Sequence, residues 1–287
     1  MSLIAIHDVP APAKLNLFLH VVGRRDDGYH LLQSVFMLID WCDTLHFERR
    51  SDGRLQRHDM GAALPADDLC LRAARLLQTR SGTGLGADIS IDKRVPWGAG
   101  LGGGSSDAAS TLLALNRLWD LGWSRARLLA LALELGADVP FFVGGRNAWV
   151  EGIGERLTPT ALPLRGWAVL KPAAVIPTAA VFGSPDLVRD TPAATISDFL
   201  ADPLGFGHND LQAPAEAFSS EVTDALELLK ARFGHSRMSG SGSAVFAQAG
   251  ADDVPPQGSL EAMSLPVSWV GRMCQGLAQH PLVDWAV

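Results

Sequence analysis

Apolar and polar residues alternate along much of the first fifty positions, a pattern typical of β-strands. In residues 13–23, AKLNLFLHVVG, the alternation gives the predicted strand two faces. One face carries Ala13, Leu15, Leu17, Leu19 and Val21, and the other carries Lys14, Asn16, Phe18 and His20. Asp27-Gly28 then predicts a turn, residues 31–50 predict further strands, and residues 51–68 predict a loop.

Helical spacing follows in three segments. Residues 69–82, LCLRAARLLQTRSG, predict a helix that ends near Gly82, and residues 87–95 return to strand-like alternation. The next helix is predicted to begin at Ser105 or Ser106, with Ser and Asp at its start as caps. Its apolar stripe consists of Ala108, Leu112, Leu115 and Trp119. Residues 124–136 predict a helix that stops at Gly136, and residues 137–159 predict short strands and turns.

The second half of the chain has a different pattern. We expect a strand over residues 167–176, a stretch rich in Pro and Asp from Ser184 to Asp210, and a helix over residues 211–234. Strands are expected after residues 239–243, SGSGS, and around residues 267–273. A boundary near residues 157–166 therefore predicts two α+β domains, 1–160 and 161–287.

Composition narrows the class of protein. The 287 residues carry a net charge of −7, which argues against broad contact with nucleic acid or an acidic membrane surface. The three cysteines contain no CxxC pair, and no segment is typical of a secretion leader or membrane span. We expect a cytoplasmic protein that holds any anionic ligand locally.

A glycine-rich stretch supplies a candidate site for such a ligand. We name residues 96–106, PWGAGLGGGSS, the glycine loop; its members are Pro96, Trp97, Gly98, Ala99, Gly100, Leu101, Gly102, Gly103, Gly104, Ser105 and Ser106. Backbone N–H groups that precede a helix can bind phosphate, since glycines allow close approach and serines add hydroxyl donors. The loop has no lysine and does not match the Walker motif.

The same loop matches GxGxxG, the dinucleotide-binding fingerprint, over residues 98–103. We interpret this match as accidental. The preceding segment places Asp88, Ser90 and Asp92 on one face, as a half-solvated strand does, whereas the fingerprint requires a strand buried on both faces. Asp120, at the tempting distance downstream, ends a predicted helix and does not follow a strand.

The glycine loop resembles the phosphate loop of the GHMP kinases, the superfamily of galactokinase, homoserine kinase and mevalonate kinase. Further stretches are similar, in order, to the branch that acts on CDP-methylerythritol in the non-mevalonate isoprenoid pathway: PAKLNLFLHVVGRRDDGYHLLQSVF, LGADVPFF, EGIGE, PTAAVF, HNDL and SGSGSAVF. The resemblance implies an N-terminal domain like the second domain of ribosomal protein S5 and a ferredoxin-like C-terminal domain. It also implies that residues 237–247, the closing segment, cover the active site.

The resemblance assigns catalytic roles to two residues far apart in sequence. By their local patterns alone, Lys14 fits a solvated sheet face and Asp138 fits a helix cap or turn. In the family the matching aspartate accepts the proton of the acceptor hydroxyl, and the matching lysine polarises that hydroxyl and offsets charge during transfer. ATP with Mg²⁺ is the implied phosphate donor, bound on the glycine loop; the protein ligands of magnesium stay open.

The resemblance also implies how the acceptor is bound. Asn16 matches a substrate-binding asparagine, and Tyr29 and His30 match residues that line a cytidine pocket, with His30 bonded to the cytosine edge. Phe182 is expected to stack on the ring, and Thr178 to contact the substrate. The implied reaction transfers the γ-phosphoryl group of ATP to the 2-hydroxyl of CDP-methylerythritol.

Three other functions stay open at this level. Another GHMP kinase, acting on homoserine or mevalonate, would keep the glycine loop without needing Tyr29, His30 and Phe182. A nicotinamide-dependent oxidoreductase would use the GxGxxG match. A non-catalytic relative of the kinases would bind ligand without turnover, although the presence of both Lys14 and Asp138 argues against it.

Overall fold

Two long antiparallel strands organise the first sheet in the computed structural model, which describes residues 3–203, 205–250, 260 and 263–286. They are β1 (Ala5–Arg24) and β2 (His30–Arg50), joined by the predicted turn. The other strands are β3 (Leu55–Asp59), β4 (Gly86–Asp92), β5 (Ala148–Gly152) and β6 (Arg156–Pro159). The strand order is β3-β4-β2-β5-β6, and β1 pairs with β2 outside this order. Among the described strands of this sheet, β3 and β4 form the only parallel pair.

Four helices cover one face of this sheet: α1 (Leu69–Ser81), α2 (Gly103–Leu118), α3 (Arg125–Leu135) and α4 (Val139–Gly144). The ends predicted for α1 and α3 are confirmed. Asp68 caps α1 by accepting the Leu71 amide at 3.0 Å, and Gly82 ends it with a φ of 69°.

The second sheet is antiparallel, with the order β10-β7-β9-β8. Its strands are β7 (Gly166–Lys171), β8 (Arg237–Met238), β9 (Val245–Gln248) and β10 (Val270–Gln275). Its helices are α5 (Thr178–Gly183), α6 (Ile196–Ala201), α7 (Gln212–Phe218) and α8 (Ser220–Phe233). The α+β class is confirmed, and the division at residues 160 and 161 stays a prediction.

Several local predictions were wrong for identifiable reasons. The loop predicted for residues 51–68 contains β3, an edge strand of mostly polar residues that gives no hydrophobic alternation. The strands and turns predicted for residues 137–159 also contain the helix α4. Most of its six residues are apolar, so they show no helical periodicity. Ser219 has an extended backbone (φ −152°, ψ 120°), which divides the single helix predicted over residues 211–234 into α7 and α8.

The start of α2 also differs from the prediction. The helix begins at Gly103, and its N-cap is Gly102, which has a φ of 71° and no side chain to cap with. Ser106 and Asp107, predicted as caps, are the fourth and fifth residues of the helix and are buried. The N-terminal amides of α2 are therefore left without a side-chain cap.

The other face of the first sheet packs against the second sheet. The residues buried there are Leu15, Leu17, Phe18, Met37, Ile39, Trp41 and Trp149 from the first sheet, and Trp167, Val169, Phe246 and Cys274 from the second. A register shift between Asn16 and Leu19 interrupts the predicted alternation, so Phe18 joins Leu17 in this cluster. Because β1 is covered on both faces, Lys14 and Asn16 are buried.

Residues 276–286 return to the first sheet and its helices. The Leu277 amide donates to Leu38 O at 2.8 Å, and the His280 amide donates to Gly145 O at 2.9 Å. Leu282 and Ala286 are buried in the core under α1–α4. No helix in the described residues has the length and apolar content needed to cross a bilayer.

Candidate active site

A cleft of about 880 Å³ brings most of the predicted site together. Ten predicted residues line it: Lys14, Asn16, Tyr29, His30, Gly98, Gly100, Gly102, Asp138, Thr178 and Phe182. They come from β1, the start of β2, the glycine loop, the start of α4 and α5. The remaining residues of the glycine loop do not line this cleft, so their role in nucleotide binding stays a prediction.

Lys14 and Asp138 form an ion pair in the lining of the cleft. Lys14 Nζ lies 3.6 Å from Asp138 Oδ2, and their side chains are 4% and 32% exposed. Burial lowers the pKa of Lys14, and the charge of Asp138 opposes this shift. Asp138 precedes α4 but caps no amide, so its carboxylate is free to face the cleft. The pair combines a buried cation with a carboxylate that a ligand can reach.

Asn16 is held in one orientation beside this pair. Its Oδ1 accepts a hydrogen bond from Lys14 Nζ, and its Nδ2 donates to Ser34 Oγ at 3.0 Å. The Ser34 hydroxyl in turn donates to the Phe18 carbonyl. The amide of Asn16 is thus oriented by partners on both sides, with its oxygen towards the lysine.

The glycine loop leaves its amides uncommitted. Within the described part of the chain, none of the N–H groups from Trp97 to Ser105 donates to a protein acceptor. Gly98, Gly100 and Gly102 have φ values of 62°, 72° and 71°, which L side chains rarely adopt. The first turn of α2 adds its free amides at the positive end of the helix. The loop is therefore a potential anion site in the lining of the cleft.

The closing segment packs directly on this loop. Ser239 Oγ donates to Gly100 O at 3.0 Å and accepts from the backbone N–H of Asn16 at 3.1 Å. The Ala244 amide donates to Ala99 O at 3.1 Å. A Cβ on Gly100 would overlap the carbonyl oxygen of Ser239, so the two glycine-rich segments touch backbone to backbone. Sequence reasoning did not identify Ser239 as the link between them.

A buried charge cluster supports the glycine loop from below. Lys93 Nζ donates to the carboxylates of Asp43 and Asp107, the latter at 2.6 Å. Asp43 Oδ1 also accepts the amides of Arg94 and Val95, at 2.6 and 2.7 Å. Burial raises the pKa of Asp107, although the charge of Lys93 opposes the shift. This cluster, which sequence reasoning missed, joins β2 and the residues after β4 to α2.

Another part of the cleft lining is aromatic. The rings of His30 and Phe182 stack with centroids 5.0 Å apart and an interplanar angle of 30°. Tyr29 is 60% exposed beside them, and Thr178 Oγ1 lies 2.8 Å from Ser241 Oγ. Burial, Arg189 and Arg24 all lower the pKa of His30. This wall can hold a flat ring against a neutral imidazole.

The described residues offer few side chains that could bind a metal ion. Among the described residues, no group of three or more His, Cys, Asp and Glu side chains could hold a metal ion. The hydroxyl of Ser106, in the first turn of α2, is buried and has no hydrogen-bond partner in the described structure. Hard oxygen ligands of this kind suit Mg²⁺ that is coordinated mainly by phosphate oxygens.

The structure argues against the dinucleotide interpretation of the glycine loop. The strand before the loop, β4, pairs antiparallel with β2 and is half-buried at Asp88, Ser90 and Asp92. Asp120 follows the end of α2 with a φ of 53°. Neither feature belongs to the parallel βαβ unit that the fingerprint requires.

Comparisons with known proteins give a consistent result. Residues 68–146 match the model of the GHMP kinases N terminal domain, and residues 197–255 match GHMP kinases C terminal. The chain is 76% identical over 286 residues to 4-diphosphocytidyl-2-C-methyl-D-erythritol kinase of Methylibium petroleiphilum, covering 100% of both chains. It also resembles a crystal structure of 4-(cytidine 5'-diphospho)-2C-methyl-D-erythritol kinase, with a TM-score of 0.80 and 36% identity over 96% of this chain and 100% of that one. A mevalonate kinase structure matches with a TM-score of 0.69 at 11% identity over 95% and 99% of the two chains, and shares the fold.

Proposed function

The chain belongs to the 4-diphosphocytidyl-2-C-methyl-D-erythritol kinases of the GHMP family, and we propose that it transfers the γ-phosphoryl group of ATP to the 2-hydroxyl of CDP-methylerythritol. The reaction belongs to the non-mevalonate route to isoprenoid precursors. The observation that carries the proposal is the Lys14–Asp138 pair, which lines the same cleft as glycines of the glycine loop and the stacked His30 and Phe182 rings.

Asp138 acts as the base. Its carboxylate accepts the proton of the 2-hydroxyl while that oxygen forms a bond to the γ-phosphorus and the bond from the γ-phosphorus to the bridging oxygen of ADP breaks. Lys14 stabilises charge on the attacking and transferring oxygens, an effect strengthened by its burial. Asn16 orients Lys14 through its side-chain oxygen.

The glycine loop holds the polyphosphate of ATP. Its uncommitted amides and the start of α2 supply donors, and the support of Lys93 beneath the loop keeps them in place. Ser106 is the protein hydroxyl that we assign to Mg²⁺ or to a phosphate oxygen. When bound beside Ser106, Mg²⁺ would supply positive charge that offsets the negative charge of the phosphates.

The aromatic wall selects the acceptor. A cytosine ring stacks against Phe182 and bonds to His30 through its polar edge, while Tyr29 and Thr178 border the same region. We also propose a cytoplasmic location, which is supported by the net charge of −7 and by the free state of Cys42, Cys70 and Cys274.

ADP release with purified protein tests the proposal. CDP-methylerythritol should be turned over, whereas homoserine and mevalonate should give only background rates. Asp138→Asn should lower kcat by about 10²- to 10⁴-fold, since it removes the proton acceptor and keeps the shape. Asp120→Asn is the matched control, because Asp120 is an exposed aspartate at the end of α2.

Two outcomes would contradict the proposal. Near-normal turnover by folded Asp138→Asn protein would remove the assigned base. Turnover of homoserine or mevalonate at the rate of CDP-methylerythritol would remove the assigned acceptor. Reduction of NAD without ADP release would favour an oxidoreductase, and ligand binding without ADP release would favour a non-catalytic relative.

A further inference from the structure

We propose that Arg189 determines which pyrimidine the enzyme accepts, because it fixes the proton of His30 on Nδ1 and so presents an N–H donor to the base. The inference rests on the proposed function and adds a specificity-determining residue to it. Arg189 lies in the Pro- and Asp-rich stretch after α5, to which the sequence analysis assigned no functional residue.

The contact between Arg189 and His30 defines the tautomer. Arg189 Nε lies 3.2 Å from His30 Nε2. A guanidinium has donors only, so His30 Nε2 must be the acceptor in this bond. The imidazole is then neutral and carries its proton on Nδ1, the ring nitrogen for which the described structure shows no protein partner. The lowered pKa of His30, caused by burial and by the charges of Arg189 and Arg24, is in accord with a neutral ring.

Arg189 is itself held in place by three carbonyl groups. Its Nη1 donates to Leu187 O at 2.9 Å, and its Nη2 donates to Phe182 O at 3.0 Å and to Ser184 O at 2.8 Å. These bonds fasten the end of α5, which carries the Phe182 ring that stacks on His30. One guanidinium therefore connects the two aromatic residues of the cleft, His30 at the start of β2 and Phe182 in α5.

This tautomer distinguishes cytosine from uracil, because the two bases differ in the group at N3. On the edge that pairs in nucleic acids, cytosine has an acceptor at N3, and uracil has an N–H donor there. A fixed Nδ1–H on His30 can donate to cytosine N3 but meets the N–H of uracil without an acceptor. With the proton on Nε2 instead, Nδ1 would be an acceptor and the preference would invert. Sites built to pair one hydrogen-bonding group reject analogues that leave it unpaired.

The kinetic test compares CDP-methylerythritol with its uridine analogue. Arg189→Gln supplies a side-chain oxygen that can accept from Nε2–H, so the proton of His30 is no longer confined to Nδ1. We expect the cytidine-to-uridine ratio of kcat/KM to fall at least about tenfold and KM for CDP-methylerythritol to rise. The KM for ATP and kcat at saturation should change little. Arg189→Lys keeps a donor and should retain most of the selectivity. Arg75→Gln, which replaces an exposed arginine of α1, is the matched control.

A spectroscopic test is independent of turnover. Nitrogen-15 shifts of the imidazole, assigned with a His30→Gln variant of the full chain, distinguish Nδ1–H from Nε2–H. We expect Nδ1–H in the wild-type protein and a mixture in Arg189→Gln. An Nε2–H or charged ring in the wild type, or unchanged selectivity in folded Arg189→Gln, would overturn the inference. Should Arg189→Gln not fold, loss of selectivity in folded Arg189→Lys to the extent expected for glutamine would overturn it too. Absence of turnover by the wild type would instead refute the proposed function and leave the spectroscopic result standing.

Discussion

Replacing Gly100 by alanine tests whether the contact between the glycine loop and the closing segment positions the active site. Both Gly98 and Gly100 have positive φ values, 62° and 72°, so alanine at either position costs about 1–2 kcal/mol of backbone strain. Only at Gly100 does the added Cβ meet backbone, lying 3.0 Å from the Ser239 carbonyl carbon and closer still to its oxygen. At Gly98 its nearest neighbour is Val175 Cγ1 at 3.9 Å.

The structure gives the expected difference in kcat/KM between Gly100→Ala and Gly98→Ala. Ordinary contacts of about 3.5 Å require the two segments at Gly100 to separate by roughly 1 Å. The hydrogen bond from Ser239 Oγ to Gly100 O, 3.0 Å long, is then lost at about 1 kcal/mol. A misplacement of about 1 Å at a catalytic site costs on the order of 10²-fold in rate. Gly100→Ala should therefore have a kcat/KM about 10²-fold below that of Gly98→Ala.

The assay is steady-state ADP release at varied ATP and varied acceptor, with urea unfolding of both variants alongside. Gly98→Ala serves as the control for φ strain, and Gly100→Ala should unfold about 1 kcal/mol more easily than it does. Equal kcat/KM values for the two folded variants would refute the reasoning, since backbone contact with Ser239 would then have no catalytic effect.

Three further predictions concern titration. Burial raises the pKa of Asp107, which shares Lys93 with Asp43, so above the ordinary aspartate pKa the folded protein binds a proton that the unfolded chain has lost, and stability falls as pH rises; urea unfolding of Asp107→Asn should show a weaker fall. Burial lowers the pKa of His280 to about 3, so between pH 6.5 and about 3 only the unfolded chain is protonated and stability falls with falling pH. His280→Asn, which keeps an acceptor for the Leu282 amide, should reduce this acid lability, and an unchanged slope would contradict the assignment. Burial raises the pKa of Cys42 to about 11, so native protein should resist iodoacetamide, and rapid alkylation seen by mass spectrometry would contradict this.

The sequence predicted those elements whose signals are local. Alternation identified β1 and β4, and helical periodicity together with Gly82 and Gly136 identified the ends of α1 and α3. Elements whose stability comes from their neighbours gave no such signal. The polar strand β3 forms because β4 offers a partner, and α4 forms where apolar residues fill a space under α2.

In the candidate site, too, some features have local sequence signals and others depend on tertiary contacts. A glycine-rich segment before a helix has a physical reason to bind phosphate, and the structure leaves its amides without protein partners. The meeting of Lys14 with Asp138 could be expected only from the family resemblance, because no local pattern relates β1 to the start of α4. Ser239, Lys93 and Arg189 act through tertiary contacts that join distant segments, and no spacing in the sequence predicts these contacts.

The return of residues 276–286 to the first sheet has a consequence for biosynthesis. A ribosome makes β1 to β6 and α1 to α4 long before it makes Leu282 and Ala286, which complete the core beneath those helices. The hydrophobic core of the nascent N-terminal half therefore stays incomplete until translation is nearly finished. Chaperones that shield emerging chains have a defined window in which to act on this protein, and a ribosome stalled at residue 275 should carry an N-terminal half that a protease cleaves more readily than it does in the released chain.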